Sequence, residues 1–272
     1  LRGISILNTE YNLFVSDYHV PFHLKSGHKI FLDVCKYIKP TKVILGGDII
    51  DFFGISRFLR SHRSTVTLKD ELNATKKVLS EIRNANKNAE IIYMEGNHSY
   101  RLFKFIALHA RELGSLEELT IQNLLGLDKY GIKFHKNNEP PEGYSDFVDT
   151  YLELCSGDGK QVSPLIVGHF NKCCGNGGTA KRLIEEKGDV SIIQGHTHRV
   201  EMYAKKTITG KILLGVESGG LFDSEQNSYI RSPNWQNGFT IIEVHNASKD
   251  YNILPAVIKN HKLVFNQKVF IG

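Results

Sequence analysis

Five short stretches of the chain place Asp, Asn or His directly after an apolar run. Ser16-Asp17-Tyr18-His19 follows NLFV, Gly46-Gly47-Asp48-Ile49-Ile50-Asp51 follows KVIL, and Gly96-Asn97-His98 follows EIIYME. Gly168-His169 follows PLIV, and Gln194-Gly195-His196-Thr197-His198 follows VSII. Taken singly, each has a plain explanation, since Asp after a strand serves turns and helix caps and Gly-His pairs form turns. Taken together at successive strand ends, they point to metal binding. Glycine beside four of the five polar groups permits tight turns and close backbone approach to a ligand. Mixed nitrogen and oxygen donors suit manganese, iron, zinc or nickel better than calcium or magnesium. The set is too large for one tetrahedral ion and sufficient for two ions sharing a carboxylate, a device for phosphoryl chemistry. In an extended chain residues i and i+2 share a side, so His196 and His198 can project from one strand end together.

The elements that must position these residues follow from periodicity. Strands are expected at 12–17, 42–48 and 90–97, and helices at 27–39, 67–85 and 100–113, the last closed by Gly114. Alternating strands and helices imply a mostly parallel sheet covered by helices, with ligands collected at the strands' carboxyl ends. The tail differs: KILLGVES, NGFTIIEVH and KLVFNQKVF read as strands separated by turns, so two packed sheets are expected. Between the third and fourth motifs, 115–165 opens with a helical pattern and a capping-box spacing from Ser115 to Glu118. That span is a possible rim over the site, with no chemistry of its own.

The bulk properties bound the answer. A chain of 272 residues, 41% hydrophobic and 23% charged, is long enough for a sizeable core. There are no internal repeats, and no apolar stretch approaches the ~20 residues that span a bilayer. Cys35, Cys155, Cys173 and Cys174 show no CxxC spacing, which favours reduced thiols and a cytoplasmic protein. The N-terminus has no signal-peptide pattern, although the opening at Leu1 leaves room for a removed segment. A net charge of +5 permits an anionic substrate without singling out nucleic acid.

The ordered series Asp17-x-His19, Gly47-Asp48-x-x-Asp51, Gly96-Asn97-His98, Gly168-His169 and Gly195-His196-x-His198 resembles the calcineurin-like metallophosphoesterases. The resemblance covers about 12–245 within one expected domain of 1–272, with C-terminal strands over 246–272. It implies an α/β fold, a four-layer α/β/β/α sandwich of two mixed sheets flanked by helices. It also implies two divalent ions, manganese first and iron, zinc or nickel as alternatives. One would be held by Asp17, His19 and His198, the other by Asn97, His169 and His196, with Asp48 bridging. The family's chemistry is attack on a phosphate ester by a metal-activated hydroxide, with His98 matching the histidine that protonates the leaving oxygen or steadies the transition state and Asp51 paired to His98.

Departures from the family pattern narrow the substrate. Protein phosphatases of the family continue the second motif with an arginine that grips phosphate, whereas Phe52 and Phe53 stand here. Ser99 replaces the acidic residue often found after Gly-Asn-His. A phosphodiester, nucleotide or nucleic-acid end is therefore expected rather than a phosphoprotein. The alternatives are a phosphomonoesterase on the same site, a DNA-processing nuclease of the recombination-repair type, and a catalytically silent scaffold. Arg101 is the first candidate for a phosphate-gripping cation. Arg57, Arg60 and Arg63, interleaved with Phe58 and Leu59, form a second set suited to a nucleotide or single strand. The glycine-rich turn running into a helix near Thr179 offers a third anion site, with a plain loop-to-helix junction favoured.

Overall fold

The first apolar run forms β1 (Thr9–Val15), followed by α1 (Lys25–Ile38), β2 (Lys42–Gly46), α2 (Leu68–Ala85), β3 (Glu90–Met94) and α3 (Tyr100–His109). A short α4 (Ile121–Leu125) leads to β4 (Ile132–His135), β5 (Thr150–Cys155), β6 (Leu165–His169), α5 (Thr179–Lys187) and β7 (Ser191–Gln194). Six strands follow: β8 (Val200–Lys206), β9 (Ile212–Ser218), β10 (Gly238–His245), β11 (Tyr251–Val257), β12 (Lys262–Phe265) and β13 (Lys268–Ile271). This computed structural model describes residues 9–56, 65–136, 147–175, 177–223 and 234–272.

One sheet has the order β11-β10-β1-β2-β3-β4 and the other β5-β6-β7-β9-β8. β1 to β4 are parallel, as are β6, β7 and β9, while β10, β11, β5 and β8 run antiparallel to their neighbours. The period-2 alternation of a strand sends successive side chains to opposite faces, and here each face has its own core. Leu13, Val15, Val43, Leu45, Ile91 and Tyr93 pack with Ile30, Phe31 and Val34 of α1 and Val78, Leu79 and Ile82 of α2. Phe14, Ile44 and Met94 point the other way and meet Leu165, Val167, Ile193 and Val216 of the second sheet. Beyond that sheet Ile192 packs with Leu183 of α5 and Phe170. The result is the four-layer α/β/β/α arrangement of two mixed sheets. Each large apolar side chain so buried contributes about 1.5–3 kcal/mol.

Several local expectations are corrected. The helix expected over 100–113 ends at His109, and 3₁₀ turns occupy Arg111–Ser115 and Glu117–Leu119. Ser115 therefore caps no α-helix; a capping box forms instead at Thr67 and Asp70, at the start of α2. Thr120 caps the short α4, whose Ile121 and Leu125, with Leu127 beyond it, enter the core beside α2 rather than forming a rim. The last apolar stretch is a hairpin, turned at Asn266 and Gln267 with both residues at positive φ, the signature of a two-residue hairpin turn. No helix of the described residues is long and apolar enough to cross a membrane.

Candidate metal centre

The five motifs meet because β1, β2 and β3 of one sheet and β6 and β7 of the other all deliver their carboxyl ends to the same place. Backbone bonds tie the loops together: Asp17 N–H donates to Gly47 O (3.1 Å), His19 N–H to Asp48 O (3.0 Å) and Gly195 N–H to Gly168 O (3.1 Å). Asp17, His19, Asp48, His196 and His198 all adopt the left-handed backbone conformation, with φ of 53°, 49°, 51°, 76° and 59°. That conformation costs a side-chain-bearing residue roughly 1–2 kcal/mol, and it clusters where function requires it. The flanking glycines make room. A Cβ on Gly96 would collide with the Asp48 carboxylate, and one on Gly47 with the His169 ring.

Both buried carboxylates are half anchored. His196 N–H donates to Asp17 Oδ2 (2.9 Å), leaving Oδ1 buried and without a hydrogen-bond partner. His98 N–H donates to Asp48 Oδ1 (2.8 Å), leaving Oδ2 turned toward His169 Nε2 at 3.4 Å. Around Asp17 Oδ1 gather His198 Nε2 (3.3 Å) and His19 Nε2 (3.8 Å), which lie 3.0 Å from each other. Around Asp48 gather His169 and His196, with Asn97 Oδ1 lying 2.9 Å from both His169 Nε2 and His196 Nδ1.

Partner chemistry decides which ring nitrogens are lone pairs. His169 Nδ1 faces Gly46 O at 2.9 Å, and a carbonyl only accepts, so Nδ1 carries the proton. Neutral His169 then presents a lone pair at Nε2 to two oxygen acceptors. His19 Nδ1 likewise donates to Asp51 Oδ2 (3.0 Å), so its Nε2 lone pair faces His198 Nε2. Lone pairs converging on lone pairs in a buried space require a proton or a cation between them. The metal-free electrostatics show the same tension. Burial would lower His169, but the Asp48 carboxylate outweighs it and raises the group to about 9. Burial would raise Asp17, but His198 beside it brings the carboxyl down to about 2. Burial, with His169 nearby, lowers His196 to about 4, so it stays neutral and able to ligate.

The donors fall into convergent groups that could hold metal. Asp17, His19 and His198 form one convergent group, Asp48, His169 and His196 another, with Asn97 Oδ1 against the second. A third group, His19, Asp48 and His98, spans the space between them. His98 differs from the other rings because its Nε2 receives a guanidinium donor. Nδ1 donates to Asp51 O (3.1 Å) and lies 3.3 Å from Asp51 Oδ2, while Arg101 Nη2 donates to Nε2 (2.9 Å).

Arg101 is held by Asp51 as well, donating from Nη1 to Asp51 O (2.9 Å) and Oδ1 (3.2 Å). Phe52 is fully buried, so no side chain at that position reaches toward phosphate. Ser99 is buried 3.4 Å from the Tyr93 hydroxyl. Arg57, Arg60 and Arg63 lie outside the described residues. At the glycine-rich turn the anion position is already filled, because Glu201 accepts from Gly178 N–H and Glu217 from Ala180 N–H.

Three features escape a reading by motif. Asp51 serves His19 as well as His98, through the same oxygen. Glu71 of α2, fully buried, accepts from Phe53 N–H (2.8 Å) and Gly54 N–H (2.6 Å) and so holds the turn that follows Asp51. Phe222 and Trp235 pack against the His198 ring at centroid distances of 4.6 and 4.8 Å. Trp235 is the chain's only tryptophan, but nothing in its flanking SPNWQNG ties it to a motif.

No family model matches the chain, and no curated protein matches it. Among solved structures the chain is similar to Vacuolar Protein Sorting 29 from Cryptosporidium parvum, at 14% identity over 96% of this chain and 94% of that one, TM-score 0.42. It is also similar to a phosphatase from Mycoplasma pneumoniae, at 10% identity over 93% and 95%, TM-score 0.39. A third similarity is to the nuclease MPE of Pseudomonas putida, at 13% identity over 89% and 87%, TM-score 0.35.

Proposed function

We propose that the chain is a two-metal phosphoesterase acting on a phosphodiester, a nucleotide or a nucleic-acid end. The observation that carries this reading is the pair of buried lone-pair clusters on either side of Asp48. Asp17, His19 and His198 would hold one divalent ion, and Asn97, His169 and His196 the other, with Asp48 between them. Bound there, two such ions supply Lewis acidity toward phosphoryl oxygens and a water acidic enough to react near neutral pH. Manganese is the first choice for both positions.

The chain's own residues do the rest. The two N–H anchors on Asp17 and Asp48 each engage one carboxylate oxygen and leave the other available as a donor that would hold metal. The Asp51 carboxylate orients His19 and fixes its tautomer, the usual role of a carboxylate behind a ligating imidazole. Asp51 also holds His98 by Nδ1, which directs Nε2 toward Asp48 Oδ2, 3.9 Å away. With Arg101 donating to it, Nε2 has no proton to give. A substrate phosphoryl oxygen that draws the guanidinium away frees the His98 Nε2 lone pair to take up a proton from solvent water and pass it to the leaving oxygen. Arg101 thereby takes part in both substrate binding and the readiness of His98.

The diester preference rests on the buried Phe52, which leaves that position without a cation for the extra charge of a monoester. Turnover of bis(p-nitrophenyl) phosphate against p-nitrophenyl phosphate, with manganese added, tests it. A faster diester reaction supports the reading, and a strong monoester preference replaces it with a phosphomonoesterase. Inactivity of manganese-loaded protein on a broad ester panel would assign the chain to the silent scaffolds.

A further inference from the structure

The backbone carbonyl of Asp51 is a junction. Its oxygen accepts from His98 Nδ1 (3.1 Å) and from Arg101 Nη1 (2.9 Å), which commits both of its lone pairs. One holds the ring that would serve the leaving oxygen and the other the guanidinium that would meet phosphate. What fixes this carbonyl therefore fixes both side chains. On its amino side the chain is tied by Asp51 N–H to Val20 O (3.0 Å) and by Val20 N–H to Ile49 O (2.9 Å). On its carboxyl side Phe52, fully buried, turns the chain through the left-handed region at φ 54°. The next two peptide N–H groups meet one side chain, Glu71: Phe53 N–H donates to Oε2 (2.8 Å) and Gly54 N–H to Oε1 (2.6 Å).

Glu71 is itself firmly placed. It is fully buried, follows the capping-box Asp70 at the start of α2, and its own carbonyl accepts from the Thr75 hydroxyl (2.8 Å). The approach is close, since a Cβ on Gly54 would stand 3.0 Å from Oε1. Two N–H groups side by side call for two acceptor oxygens. A carboxylate supplies both, whereas an amide supplies one and turns a donor toward the other N–H. A buried carboxylate is also expensive to desolvate, so its use here has to answer to something besides packing. Burial raises the Glu71 carboxyl to about 7, the two N–H groups oppose that rise, Asp51 adds to it and Arg101 opposes it, so the group senses both sides of the junction.

We propose that Glu71 is a positioning residue for the reaction: by gripping the peptides of Phe53 and Gly54 it sets the Asp51 carbonyl, and through that carbonyl the places of His98 and Arg101. Its effect on turnover rests on the phosphoesterase reading above, while its effect on Arg101 does not. Glu71 touches neither substrate nor metal donors. It acts from α2 across the turn, so a small displacement of that turn reaches the proton carrier and the phosphate-binding cation together.

The test compares the manganese-loaded full chain with Glu71→Gln, which keeps the shape and removes one acceptor, on phenyl and p-nitrophenyl phosphate esters. For the phenyl ester KM should rise, as Arg101 is displaced, and kcat should fall by about 10–100-fold. The kcat loss should be smaller for p-nitrophenolate, and metal content should match the parent. In a His98→Ala background Glu71→Gln should lower kcat no further, because both changes act on one step. Nuclear magnetic resonance of the metal-free, nitrogen-15-labelled chain gives a readout without turnover: the Arg101 guanidinium signals should shift or broaden in Glu71→Gln. Glu71→Asp keeps the charge and both oxygens on a shorter stem, should show a milder form of the same pattern, and carries the test if the amide variant does not fold. Parental kinetics with an unchanged guanidinium spectrum overturn the proposal. So does a kcat loss that multiplies with that of His98→Ala, because it marks a general loss of order. If the parent hydrolyses no ester, the phosphoesterase reading falls, and the guanidinium spectrum alone decides whether Glu71 places Arg101.

Discussion

Asp48 and His98 are joined at two levels: the His98 N–H donates to Asp48 Oδ1 at 2.8 Å, and its ring nitrogen Nε2 lies 3.9 Å from Asp48 Oδ2. One oxygen is committed to the backbone and the other to the centre. The replacement Asp48→Asn keeps an acceptor for the N–H and removes the charge. We expect loss of both ions and of activity, with the metal-free fold intact because a buried amide is cheaper to desolvate than a buried carboxylate. Metal content by mass spectrometry and circular dichroism check the two halves. Retention of two tightly bound ions would refute a shared role for Asp48.

His98→Ala separates catalyst from ligand. Its ring is served by Asp51 and Arg101, so removing it should leave metal content near that of the parent. Turnover should fall by about 10²–10⁴-fold for a poor leaving group and by less for p-nitrophenolate, which needs little protonation. An emptied centre would instead make His98 a ligand.

Asp51→Asn should act on two functions together, because one carboxylate oxygen faces both His19 Nδ1 and His98 Nδ1. Loss of the carboxylate behind His19 should weaken metal binding by roughly 10–100-fold. Turnover should stay depressed even when metal is saturating, since His98 loses its orienting partner. A metal titration of activity resolves the two effects, and full recovery at high metal would confine Asp51 to His19.

Glu217 carries a pH signature of its own, beside Thr197 in the loop that bears His196 and His198. Burial, then the neighbouring Glu201, raises its carboxyl to about 7 from an ordinary 4.5. Between those values the folded chain keeps a proton that the unfolded chain has lost. This contribution is therefore fully present below about pH 4.5 and is lost as the pH climbs through 7. Glu217→Gln, which keeps a donor toward Glu201 at every pH, should flatten that decline. Melting curves of metal-free parent and variant from pH 4.5 to 8 give the comparison, and parallel profiles would exclude the effect.

Much of the site was legible because its donors are local to strand ends. A period-2 apolar run followed by Gly and Asp, Asn or His is a pattern within a few residues, and it located Asp17, Asp48, Asn97, His169 and His198 at or just beyond their strand ends. Helices α1, α2 and α5 were legible for the same reason, since one apolar face recurs at helical spacing. The 115–125 stretch was legible only in part, because a 3₁₀ turn without a buried residue at Glu117–Leu119 precedes the short α4, and β4, β5, β8 and β11 give little signal as short or edge strands.

Residue types and spacing alone determined the donor chemistry and the expectation of two ions, while the layer order was implied by the resemblance of the motif series. Only the tertiary structure decided which atoms face one another. His19 and His198 stand 179 residues apart in the chain and 3.0 Å apart in space, through strands of different sheets. The same is true of the double duty of Asp51, of Arg101 resting on His98, and of Trp235 set against His198. Periodicity records which face a side chain takes. The register between strands, the packing of one sheet on the other and the left-handed turns at the ligands set the distances, and these arise from contacts between residues far apart in sequence.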